Sequence, residues 1–250
     1  MKQPVLAAVA LAVAQGAAAQ ATVKDDGQWR AAITASAATT SGNTKSTTYS
    51  LLGDAVRATP QDKWQIYANA LYTRTGGLTT ANLGRVGGKY DWNLSPAWYL
   101  FGLAEAERDE VARLDSRITL GGGAGWRVLR TESDRVELFA GLGYVSDRYD
   151  GLRLLDGQLR DDYSYATLLL GEESNHKWGN STSFKQRLVA YPNLKNTGEY
   201  RGQFDASVSV AATQTLALTA GFSARYNSEP GVGIKKTDTL ATVGVTVKFE

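Results

Sequence analysis

The chain has 250 residues, with 27 basic against 25 acidic side chains, a net charge of +2, one histidine and no cysteine. So even a balance gives no electrostatic case for binding nucleic acid. Without cysteine there are no disulfides or thiolate metal sites, and one histidine among dispersed carboxylates leaves only hard-cation sites in loops, so no metal or other cofactor is expected.

Lys2 precedes the apolar run Val5 to Ala14, which carries no acidic residue, and Ala17, Ala18 and Ala19 come next. That is the charged, apolar and small-residue order of a secretory signal, with cleavage expected after Ala19. The chain then divides into a signal peptide, residues 1–19, and one domain, residues 20–250. The run is shorter than the ~20 residues of a spanning helix, and Gln15 and Gly16 interrupt it. No later segment approaches the ~18 apolar residues of a transmembrane helix.

From Gln28 to the C-terminus the chain alternates with a period of two. Twelve strands are predicted: Gln28–Thr40, Lys45–Ala58, Lys63–Arg74, Asn82–Asn93, Ala97–Asp109, Asp115–Arg130, Arg135–Tyr149, Asp162–Glu173, Ser181–Tyr191, Glu199–Val210, Thr215–Asn227 and Thr237–Lys248. Each is near the ~9–11 residues that a tilted membrane strand needs. In the third strand Trp64, Ile66, Ala68, Ala70 and Tyr72 share a face, opposite Gln65, Asn69 and Thr73. In the last, Val243, Val245, Val247 and Phe249 form the apolar face of a closing strand. Trp29, Trp64, Tyr72, Trp92, Trp98, Trp126, Tyr144 and Tyr226 sit near strand ends, as interfacial girdles do. A soluble β-sandwich would also alternate, but its buried face would be rich in large aliphatics. Here Ala and Gly thin out the apolar faces. The expectation is an all-β chain, a transmembrane antiparallel up-and-down β-barrel of about twelve strands, with ten or fourteen as the alternatives.

Connectors test that reading. With termini in the periplasm, odd-numbered turns face outward and run longer, as Asp150–Asp161, Pro192–Gly198 and Ser228–Lys236 do. The first, Ser41-Gly42-Asn43-Thr44, is tight because Gly-Asn accepts the positive φ of a primed hairpin. Ser174–Asn180 is long for a periplasmic turn.

Folding the hairpins about Ser95, Arg113, Ser133 and Leu194–Lys195 places opposite charges across from each other. Arg85 meets Glu105, Asp109 meets Arg117, Arg127 meets Glu137, and Lys185 meets Asp205, all on the polar, inward face. Balanced pairs favour a network that fills a narrow barrel over a selective pore, which would show a ring of one sign. Gly121, Gly123, Gly125, Gly141 and Gly143 share that inward face, where glycine relieves crowding beside Phe101 and Phe139.

Four segments occur in order: Ser41-Gly42-Asn43-Thr44; Tyr90-Asp91-Trp92-Asn93-Leu94-Ser95; Glu105-Ala106-Glu107-Arg108-Asp109 to Leu114-Asp115-Ser116-Arg117; and Gly121-Gly122-Gly123-Ala124-Gly125-Trp126. Together they make the chain resemble the salt-induced outer-membrane protein family, YdiY-like proteins, also known as domain-of-unknown-function family 481. The resemblance implies an outer-membrane barrel with a link to salt or envelope stress and no established activity. In this sequence Glu250 comes after the aromatic Phe249, whereas such barrels usually end on the aromatic itself.

The expected function is a non-enzymatic barrel of the outer membrane, structural or stress-adaptive, or a narrow passive pore. The rival is a lipid-modifying hydrolase built on His176. A hydrolase needs a serine and an acid oriented on that histidine, and the polar stretch Ser174-Asn175-His176-Lys177-Trp178 reads as an exposed turn. Expected partners are outer-membrane lipid, lipopolysaccharide through Arg148, Arg153 and Arg160, and the barrel-insertion machinery during assembly. Asp147, Asp150, Asp156, Asp161 and Asp162 are the calcium candidates around the seventh turn.

Overall fold

The computed structural model describes residues 21–40, 45–230 and 235–249. The signal segment, the Ser41–Thr44 turn and Glu250 lie outside the described residues. Twelve strands succeed one another: β1 (Trp29–Thr40), β2 (Ser46–Ala58), β3 (Asp62–Thr75), β4 (Leu78–Asn93), β5 (Trp98–Asp109), β6 (Leu114–Arg130), β7 (Asp134–Leu155), β8 (Gln158–Trp178), β9 (Thr182–Pro192), β10 (Tyr200–Ala211), β11 (Leu216–Asn227) and β12 (Thr237–Phe249). Each pairs antiparallel with its sequence neighbours, and β1 pairs with β12, so the sheet is a closed barrel. Closure removes the open edges that a free sheet would present. No helix among the described residues is long and apolar enough to cross a membrane.

Sequence and structure differ chiefly at β7 and β8. The Asp150–Asp161 segment is not a loop but the top of a long hairpin, paired from Arg153–Arg160 to Leu155–Gln158 and turned at Asp156 and Gly157, both at positive φ. At the other end β8 runs on to Trp178, paired with β7 and β9, so Ser174–Trp178 is strand rather than turn. Polar composition suggested turns in both places because a strand that outruns the membrane no longer has to alternate.

The exterior is apolar where lipid would lie. Ile33, Leu51, Ile66, Val86, Leu100, Leu120, Leu142, Leu170, Leu188, Leu218 and Val243 are all exposed. On β12 Val245 and Phe249 join Val243 outside, and Val247 is half-buried. All six tryptophans of the chain, Trp29, Trp64, Trp92, Trp98, Trp126 and Trp178, are exposed at the rim that carries both termini. At the opposite rim the aromatics are tyrosines, with Tyr49 across from Tyr72 and Tyr200 stacked on Tyr226 at 5.1 Å. Amphipathic rings favour such interfaces because one edge stays wet.

The inner wall has two characters. From β10 through the seam to β1 it carries small hydroxyls, joined in a chain: Ser209–Thr219 at 2.8 Å, Thr219–Thr246 at 2.7 Å and Thr246–Thr34 at 2.7 Å. That chain crosses the β1–β12 closure, whose ladder among the described residues runs from Ala31–Phe249 to Ala35–Val245. The remaining wall, including Arg201, Gln203 and Asp205 on β10 and Arg225 on β11, carries long polar, charged and aromatic side chains, and these fill the space the small residues leave.

Candidate functional site

Three charge clusters of the lumen follow one another from the terminal rim toward the loop rim. In the first, Lys63 Nζ lies 3.0 Å from Asp91 and 3.5 Å from Glu137, Lys89 lies 3.2 Å from Asp91, and Arg127 lies 3.5 Å from Glu137. Lys89 also sits over the rings of Tyr99, Phe101 and Phe139 at 5.0–5.3 Å. Asp91 is fully buried. Burying a carboxylate is costly unless opposite charges meet it, and here two ammonium groups do.

The second cluster spans the barrel. Arg85 donates through Nη2 to Glu105, which also accepts from Tyr67 Oη at 2.5 Å. Arg85 Nη1 donates to Gln203 Oε1 at 2.9 Å. Arg85 is on β4 and Gln203 on β10, six strands apart whichever way one counts round the ring of twelve. Gln203 Nε2 in turn donates to Asp205 at 2.5 Å, and Ser223 donates to the other Asp205 oxygen. The third cluster is a bidentate pair, Arg117 on Asp147 at 2.6 and 2.7 Å, with Glu107 3.4 Å away and Tyr149 Oη donating to Asp147 at 3.1 Å.

Of the expected charge pairs, Arg127 and Glu137 stand across from each other, as the hairpin arithmetic has them. Arg85 stands across from Glu107, not Glu105, although its guanidinium reaches diagonally to Glu105. Arg117 stands across from Glu107, and Asp109 faces Leu114 beyond a bulge, so Asp109 and Arg117 do not pair. Lys185 faces Ser207, and Asp205 faces Arg187, which holds Glu173 at 2.9 Å. Apart from the bulge at Asp109, the corrections have one cause. A turn centre misplaced by one residue shifts the register by two, which keeps every side chain on its face and changes only its partner.

Lys63, Tyr67, Lys89, Asp91, Asp147, Glu173, Arg187 and Gln203 did not appear among the sequence candidates for this network. Their inward parity was readable, but contacts across a lumen leave no trace in hairpin spacing. The glycines have a steric reason. A Cβ on Gly125 would run into the Tyr99 ring, and one on Gly123 or Gly141 into the backbone of the facing strand. Gly121 and Gly143 lie against Leu169.

Cavities of very different size divide the interior. A vestibule of about 1300 Å³ opens at the loop rim, walled by the long β7–β8 hairpin, Tyr163, Tyr165 and Asn193–Tyr200. Below it lie cavities of about 130 and 70 Å³, and Arg85 and Gln203 line both of these. The bridge between opposite walls is therefore their partition. A cavity of about 50 Å³ at the terminal rim is lined by Val23 and Asp25. These belong to a segment folded onto that mouth: the Ala21 amide meets Asp54 at 3.2 Å, Arg135 donates to the Val23 carbonyl at 3.3 Å, and Asp25 pairs with Arg130. Beside them Arg30 donates to Asp26 at 2.8 and 2.6 Å, and this holds the Asp26 carboxyl well below the usual carboxylate range.

His176 lies within β8, half-buried, across from Asp134 and stacked near Phe184. Its Nδ1 is 2.7 Å from Asp134 Oδ1, and Ser133 Oγ donates to the other Asp134 oxygen at 2.5 Å. The acid thus stands between serine and histidine. A hydrolytic triad has the histidine in the middle. In the loops, Arg160 pairs with Asp156 at 3.6 Å, Arg153 lies over Tyr149 at 4.3 Å, and Asp147 turns away from the other loop carboxylates onto Arg117.

Among solved structures the chain is similar to the translocator domain of the autotransporter NalP from Neisseria meningitidis, at 12% identity over 88% of each chain with a TM-score of 0.48. It is similar to the NanC porin at 10% identity over 88% of this chain and 97% of that one, TM-score 0.48. The KdgM porin gives 10% identity over 89% and 100%, TM-score 0.46. No curated protein matches. The family model described as a protein of unknown function, DUF481, matches residues 33–249, which is nearly the whole of the barrel, and the chain belongs to that family.

Proposed function

We propose that this protein is a non-enzymatic structural barrel of the outer membrane, closed at its waist, with its termini in the periplasm and its vestibule facing outward. The apolar exterior, the two aromatic rims and the expected secretory signal support the location. Short even-numbered turns at the end that carries the termini support the orientation. The observation that carries the functional reading is the Arg85–Gln203 hydrogen bond between diametrically opposite strands, backed by Glu105, Tyr67 and Asp205. A passive conduit would need a continuous aqueous path, and here polar side chains are spent on each other. A role in salt or envelope stress suits such a barrel, since resisting deformation asks for a filled interior rather than a channel.

Planar-bilayer conductance tests this. The wild-type protein should conduct weakly. Arg85→Ala combined with Gln203→Ala removes the partition and should raise conductance several-fold, because the 130 and 70 Å³ cavities then join. A large wild-type conductance with weak ion preference would make the protein an open pore instead.

A further inference from the structure

Arg201 stands apart from the three clusters, and Arg225 meets the second only through Gln203. Both point inward on neighbouring strands, diagonal to each other across the register pair Gln203–Arg225, and both line the cavity of about 130 Å³. Nε and Nη2 of each guanidinium are closed off from solvent and meet no acceptor among the described residues. Buried charged donors without acceptors are costly and uncommon. The nearby acids are occupied elsewhere: Glu105 by Arg85 and Tyr67, Glu107 and Asp147 by Arg117, Asp205 by Ser223 and Gln203. Asp109 and Asp238 also line the cavity, but Asp109 accepts from the Ala112 amide, and Asp238, though across the ladder from Arg225, makes no ion pair with it. Arg225 shares the single neutral acceptor Gln203 Oε1 with Arg85, at 3.0 and 2.9 Å. Two guanidiniums therefore crowd one amide oxygen, and that of Arg201 lines the same small space.

We propose that Arg201 and Arg225 form an anion-binding subsite at the base of the vestibule, which takes a small oxyanion, a carboxylate or a phosphate, entering from the loop rim. Two features preorganise it. The Arg201 guanidinium is held over the Tyr191 ring at 5.2 Å and near the Tyr165 ring at 6.0 Å, which fixes its plane without using any of its donors. The cavity shares Arg117, Arg153, Tyr191 and Arg201 with the vestibule, so it is reached from that side, and Lys235 and Lys236 add positive charge at its lip. A guanidinium fork matches an oxyanion through two parallel hydrogen bonds, and both arginines have donors to spare. The Arg85–Gln203 partition lies beneath, so an anion bound here would be held rather than passed on.

Titration calorimetry on the folded, detergent-solubilised barrel at low ionic strength tests the subsite, with inorganic phosphate in one arm and citrate in the other. Saturable binding in the phosphate arm alone assigns a phosphate site, and in the citrate arm alone a carboxylate site. Arg201→Gln and Arg225→Gln should each weaken binding by about tenfold or more, and Arg201→Lys should recover part of it, keeping charge without the fork. Heat-modifiable gel mobility checks that each variant is folded. Should the glutamine variants fail to fold, phenylglyoxal labelling of the wild-type arginines, read by mass spectrometry, replaces them. The bound anion should then slow labelling of Arg201 and Arg225 several-fold and leave the surface-exposed Arg148 unchanged. Failure of both anions to bind the wild-type protein, equal binding by the folded variants, or labelling indifferent to anion would each overturn the proposal.

Discussion

At the scale of single residues, the lumen shows how a buried charge is tolerated only in company. Arg85 is buried and reaches Glu105, Glu107 and Gln203 at once. Removing Glu105 leaves that guanidinium with one distant carboxylate and one neutral amide. We expect Glu105→Ala to cost about 1–3 kcal/mol, less where lumen water reaches the site. Arg85→Ala should also destabilise, because Glu105 would keep only Tyr67. The double variant should regain part of the loss, since neighbours in one network do not add. Denaturant unfolding of the two singles and the double decides it: additive effects would mean that the pair is not coupled. His176 makes the opposite case. Its acid neighbour lies between it and Ser133, and that arrangement orients nothing for attack.

At the scale of elements, the segment before β1 matters as much as any strand. Residues 21–27 lie on the terminal mouth through Asp54, Arg130 and Arg135, and the Asp26–Arg30 pair fastens their base. Arg30 lowers the folded-state pKa of Asp26, so the pair's contribution is fully present above the unfolded carboxyl value, about 3.9. It is lost as pH falls through the lower, folded value. The chain has no cysteine, so Ala21→Cys carries a single spin label. Its spectrum should be immobilised at neutral pH, where the segment is docked, and become mobile in acid, in the direction the linkage requires. A label already mobile at neutral pH would show that the segment does not dock. The β7–β8 hairpin is the other element that exceeds its membrane role, since its 22 and 21 residues far outrun the ~9–11 a crossing needs, and the excess walls the vestibule.

At the scale of the whole molecule, closure and exterior act together. An apolar outer belt between a tryptophan rim and a tyrosine rim is stable only in lipid or detergent, and a closed hydrogen-bonded wall resists unfolding there. The folded protein should therefore fractionate with the outer membrane and migrate faster on gels before boiling than after it. Recovery as a soluble periplasmic monomer without detergent would refute the location. Inside, long side chains meet a patch of serine and threonine near the terminal end of β10, β11, β12 and β1, so shape as well as charge fills the lumen.

Much of this architecture was legible in the chain itself. The period of two, sustained through twelve segments and bounded by aromatics, determines a barrel because each strand must satisfy lipid on one side and polar neighbours on the other. Parity likewise placed Arg85, Glu105, Asp109, Arg117, Arg127, Glu137, Lys185 and Asp205 inside, because a strand offers only two faces. Partners were a different matter. A four-residue turn after Asn93 and a seven-residue connection after Pro192 each moved the register by two, a bulge before Asp109 broke it there, and local sequence does not encode where a turn is centred. Contacts across the lumen were beyond sequence altogether. Arg85 and Gln203 are separated by 118 positions, and only the curvature of the closed sheet, which brings β4 opposite β10, makes them neighbours.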